Sequence, residues 1–140
     1  IDISSYADGT EHTIEFHCET FATNGGLSNI LVDSVSMLAC VGGAGGAGGG
    51  GSDCEVIADG SFEGGSPNSD WAEYSSNYGT VLCDDDCMNG QSNAHDGSWW
   101  AWFGGIAAYE EGALSQAVTI PSGAASLTFY LQLTHCDDGT

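Results

Sequence analysis

Apolar and polar residues alternate with a period of two through much of this chain, the spacing of strands with one face buried. In the first third, His12, Ile14, Phe16 and Cys18 share one face, while Thr13, Glu15, His17 and Glu19 share the other. A turn at Asn24, Gly25 and Gly26 leads into a second run, Ser28 to Leu38, that carries Ile30, Leu31, Val32, Val35 and Met37. Further on, Leu114, Gln116, Val118 and Ile120 alternate, Pro121 to Gly123 form a turn, and Leu127, Phe129, Leu131 and Leu133 alternate again. Glu55 to Ile57 and the aromatic run Trp99 to Phe103 read as shorter strands, and the acidic stretch between them as turns. No segment carries a helical period, so the pattern predicts an all-β fold, an antiparallel β-sandwich of short strands punctuated by glycine turns.

Between Val41 and Asp53 the chain is almost entirely glycine, a composition that buries no apolar surface and acts as a connector. It divides the sequence into residues 1–40, a linker at 41–54, and residues 55–140.

Charge sharpens the picture. The chain of 140 residues has 20 Asp and Glu and neither Lys nor Arg, a formal net charge of −20. Self-repulsion on that scale is relieved by spacing, salt or bound cations, and Ca²⁺ is the cation that an excess of carboxylates suits. Nucleic acid is excluded as a partner, because neutralising phosphates takes Lys or Arg. Membrane insertion is not expected either, since no run approaches the ~18 apolar residues of a spanning helix. Trypsin has no cleavage site.

Six cysteines in such a chain point to disulfides and an oxidising, extracellular compartment. Their spacing does not match zinc knuckles. Cys40 and Cys54 flank the glycine linker, Cys83 and Cys87 bracket three aspartates, and Cys18 with Cys136 form the remaining pair by elimination. No start Met or apolar leader opens the sequence, so a signal peptide is expected to be removed or to lie upstream.

Several segments together resemble a known kind of module. GSFE at Gly60 to Glu63, GSWWAWFGG at Gly97 to Gly105, LSQAVTIPSG at Leu114 to Gly123 and the LTFYLQL strand resemble the opening half of jelly-roll modules. Such modules recur in secreted bacterial surface proteins and are similar in architecture to carbohydrate-binding modules and MAM domains. IDISSYADGTEHTIEF and NILVDSVSML resemble the closing strands of the same module, so the two halves stand in reversed order. A hairpin that normally lies between the halves has no counterpart here. The resemblance implies a structural Ca²⁺ held by Glu63, after the Gly-x-Phe motif, and by Asp33 in a closing strand, with Asp59 nearby.

Trp100 and Trp102 share one side of their strand, Trp99 and Phe103 the other, so one pair belongs to the core. The opposite pair is a candidate for a sugar platform or an interface, because large aromatics suit both. Asp84 to Asp86 read as a solvated turn. His12, His17, His95 and His135 show no H-E-x-x-H spacing, and no G-x-S-x-G elbow accompanies the His95–Asp96 dyad, so no enzymatic activity is expected.

The reading that follows is a structural repeat or subunit of an extracellular filament or adhesin, its partners copies of itself. Its reversed halves are expected to be completed by strands exchanged with a neighbouring copy. The alternative is a carbohydrate-binding module with a glycan partner.

Overall fold

The computed structural model of the chain describes residues 1–21, 27–40, 54–87 and 93–135. Seven strands follow one another: β1 Glu11–Thr20, β2 Asn29–Ala39, β3 Ala72–Ser75, β4 Leu82–Cys83, β5 Trp100–Gly104, β6 Glu110–Thr119 and β7 Ala125–His135. They form two antiparallel sheets, ordered β1-β6-β3 and β4-β5-β2-β7, in a sandwich-like arrangement.

The inward rows follow from the alternation. On β1, Ile14, Phe16 and Cys18 pack toward the core, and Leu114, Val118 and Ile120 along and just beyond β6 are buried with them. From the other sheet come Val32, Met37, Ala101 and Phe103. Phe62 and Trp71, from the segment preceding β3, meet edge to face at 5.4 Å within this core. The Trp71 indole donates to the carbonyls of Ala58 (3.1 Å) and Asp59 (2.9 Å), which gives this buried N–H its acceptors.

Both halves of the sequence contribute to both sheets. β1 pairs along its whole length with β6 of the same chain, and β2 lies between β5 and β7. Completion by a neighbouring copy is therefore corrected: residues 1–38 pack on the second half of their own chain. The linker explains why. Ala39 N–H donates to the Cys54 carbonyl at 2.8 Å, Val56 N–H to Met37 at 2.9 Å, and a Cys40–Cys54 disulfide holds the two Cα atoms 4.7 Å apart. The connector thus leaves and returns at one point, and a short tether of this kind gives the halves of one chain a far higher effective concentration than a second molecule offers.

Glu55 to Ile57 contributes a single bridge, Leu38 to Glu55, where a strand was expected. The acidic stretch read as turns contains β3 and β4. These are only four and two residues long, and they owe their conformation to pairing with β6 and β5. Cys83 and Cys87 are bonded, Cα atoms 5.8 Å apart. Cys136 lies outside the described residues. Two disulfides fit a non-reducing setting.

Candidate functional site

With no Lys or Arg to pair with, the carboxylates of this protein turn to backbone N–H groups, hydroxyls and amides. Asp33 shows how. A bulge in β2 between Asp33 and Ser36, with Ser34 at φ 52°, places Asp33 on the outer side of the four-stranded sheet beneath residues 95–96. Its Oδ1 accepts from Ser34 N–H at 2.6 Å, and its Oδ2 accepts from the N–H groups of His95 (2.6 Å) and Asp96 (3.1 Å). The side chain is 1% exposed. Burial pushes its carboxyl above the ordinary value, opposed by the three N–H donors, which favour the charged form.

Glu63 repeats the device one loop away. Its Oε1 accepts from Ser98 N–H (2.8 Å) and Trp99 N–H (2.9 Å), fixing the entry to β5. Gly97 suits this spot, since at φ 70° a larger residue is strained and its Cβ would displace the Glu63 carboxylate. Asp59 Oδ2 accepts from Gly64 N–H (3.0 Å) and from the Asn68 amide (2.7 Å), closing the turn that carries Phe62.

Asp33, Asp59 and Glu63 are thus three separate clamps around neighbouring loops. Among the described residues they do not bring their ligand atoms within 4.8 Å of one another, whereas His17, Glu19 and Glu111 do, on the exposed face of β1 and β6. Ca²⁺ takes six to eight oxygens, and both Asp33 oxygens already accept N–H donors. The trio therefore does not fit one shared ion.

Other clamps carry no sequence signature. Glu55 accepts from Met37 N–H (2.8 Å), Ile57 N–H (3.0 Å) and the Ser36 hydroxyl. Glu73 ties the Ser66 hydroxyl (2.6 Å) to that of Thr80. Gln116, buried on β6, accepts from Ala58 N–H and donates to the Ala58 carbonyl, both at 2.9 Å. Glu110, also buried, accepts from Ser76 Oγ (3.0 Å), Asn77 N–H (3.1 Å), the Ser75 hydroxyl and the Asn77 amide. Burial, the largest single influence, raises its pKa, but the hydrogen bonds together outweigh it and hold the carboxyl below the ordinary value.

The tryptophans divide as the alternation requires. Ala101 and Phe103 face the core between the sheets and Trp99 packs against it, while Trp100 and Trp102 lie on the outer side of the four-stranded sheet. Trp100 is nevertheless completely buried, packed with Leu31 and Cys83 beneath Ala94 and Trp102. It offers no face to a sugar, which corrects its candidacy as a platform. Trp102 is partly exposed. Its indole donates to Asn29 Oδ1 at 2.9 Å, and its ring lies nearly parallel to Tyr78, 18° between planes and 6.5 Å between centroids. The pair borders a 290 Å³ cleft with Val81, Leu82, Cys83 and Cys87. No family model, curated protein or solved structure matches this chain.

Proposed function

We propose that the protein is a structural repeat or subunit of an extracellular filament or surface adhesin, built to be rigid and durable, with copies of itself as partners. The observation that carries this reading is the use of the carboxylates. Asp33, Glu55, Asp59, Glu63, Glu73 and Glu110 each hold two or more backbone or side-chain donors, so the acidic groups stiffen loops. Two disulfides add covalent closure, and the absence of Lys and Arg denies trypsin-like proteases a site.

Ca²⁺ belongs to this proposal as a counter-ion of a surface with net charge −20 rather than as the ligand of one carboxylate trio. Electron microscopy of the concentrated protein, with millimolar Ca²⁺ and with chelator, tests the reading. Linear assemblies, with a melting temperature raised by Ca²⁺, are the expected result, because a ligand bound only by the folded state stabilises it. Monodisperse monomers under both conditions overturn it.

A second reading, carbohydrate binding, is favoured by Tyr78 and Trp102, whose near-parallel rings edge an apolar cleft of the kind sugar faces stack against. On a glycan array, Trp102→Ala is then expected to abolish binding while the fold melts cooperatively. Absence of binding by the unaltered protein rules this reading out.

A further inference from the structure

The four-stranded sheet ends at β7, and among the described residues only the start of that edge is covered. Ile3 N–H donates to the Ala125 carbonyl and Leu127 N–H to the Ile1 carbonyl, so the backbone groups of Ala125 and Leu127 point away from β2. The two-residue repeat of a strand then turns the N–H and C=O groups of Phe129 and Leu131 outward along the same edge, beyond the reach of residues 1–3. The side chains there are also undercovered. Leu131 and Leu133 are 48% and 56% exposed, and Leu131 lines a 180 Å³ cleft between the sheets with Phe16, Ile30, Val32, Phe103 and Phe129.

Charge identifies what can sit on this edge. Natural edge strands are usually blunted by charges, and β1, the long outer strand of the other sheet, carries Glu11, Glu15 and Glu19 exposed. β7 contains none of the chain's 20 carboxylates. Two copies bearing −20 each repel over most of their surfaces, but β7 against β7 brings no acidic residue of either strand to the seam. A basic partner, by contrast, would be drawn to the acidic faces and gain nothing from this uncharged strand.

We infer that the free edge of β7 is a homotypic interface, at which β7 of a second copy adds antiparallel, continuing the four-stranded sheet across a two-fold axis and covering Leu131 and Leu133. The contact is isologous, so it closes as a pair and makes a two-fold building block of the proposed assembly, on which the choice of a second copy as occupant rests. The outward-facing row, which includes Thr128 and Gln132, meets its counterpart at the seam.

Sedimentation equilibrium of the intact chain at low ionic strength tests this. The unaltered protein is expected to dimerise, and Gln132→Glu to weaken the dimer by about tenfold, because it puts a like charge on each strand of the seam. Thr13→Glu, an equal charge on β1, should leave it unchanged. Mixing Gln132→Glu with Gln132→Lys should restore heterodimers, a result that a folding defect cannot give. A monomer at millimolar concentration, or a Gln132→Glu dimer as tight as the original, overturns the inference. Filaments that form equally well from Gln132→Glu sink this interface and leave the assembly reading standing, whereas a protein that never associates defeats both.

Discussion

Replacing Trp100 by alanine is expected to lower the melting temperature by roughly 10–17 °C, the largest effect of any single tryptophan on the outer side of the sheet. The side chain is completely buried between Leu31, Cys83 and the overlying Ala94 and Trp102. Truncating a fully buried Trp costs about 3–5 kcal/mol in lost transfer energy and residual cavity. Spread over the unfolding entropy of a chain of 140 residues, that loss gives the shift above. Among the described residues the Trp100 indole N–H has no acceptor, so Trp100→Phe should recover most of the stability, shape being what the site uses. Trp102→Ala should cost much less, since that ring is partly exposed. Thermal melts of the three variants check the order. A Trp100→Ala protein as stable as the original would show that this face is not a packed layer and would return Trp100 to consideration as a binding residue.

That contrast between two tryptophans on one face marks what was legible in the sequence. The period-two rows of β1, β2, β6 and β7 could be read directly, because each buries one face against the opposite sheet and selection for apolar side chains at alternate positions records it. The same alternation put Trp100 and Trp102 together on the outer side. It could not reveal that residues 94–96 fold back over that side, because the cover comes from a loop that carries no apolar period. β3 was hidden for a related reason: Ala72–Ser75 is only four residues long and set among turn-forming residues, and its strand geometry comes from β6 beside it.

Nor does a pattern of inward rows say which molecule supplies the facing sheet. For residues 1–38 it is the pairing of β1 with β6 and of β2 with β5 and β7 within the chain that shows it, joined by the Cys40–Cys54 closure and the Ala39 and Val56 hydrogen bonds. The carboxylates were legible as an excess without an outlet. Their individual roles were not, since the partner of Asp33 is a backbone N–H 62 residues away and any residue type can provide one. Asp33, Asp59 and Glu63 entered through a resemblance, as ligands of one ion. What the sequence pattern could not convey was that each serves a different loop.

Asp33→Ala should therefore act through the loop it holds, destabilising the fold by about 2–4 kcal/mol, because the N–H groups of Ser34, His95 and Asp96 lose one charged acceptor together. Amide exchange at His95 and Asp96 should accelerate well beyond the global change, while exchange across β1 and β6 follows global stability. The pH dependence separates this clamp from Glu110. Burial raises the Asp33 carboxyl above its ordinary value of 3.8, so the folded state binds that proton more readily than the unfolded state. The stabilising contribution of its protonation is complete below 3.8 and is lost as pH rises through the raised value. Glu110 runs the other way: its lowered pKa contributes stability above the ordinary 4.5 that is lost as pH falls through the folded value. Asp33→Asn should thus remove a fall in stability on the alkaline side of 3.8, and Glu110→Gln should remove part of the loss on the acid side of 4.5. Denaturant melts between pH 3 and pH 7 follow both limbs. If Asp33→Ala left stability and the exchange of His95 and Asp96 untouched, the 95–96 loop would be held by something other than this carboxylate.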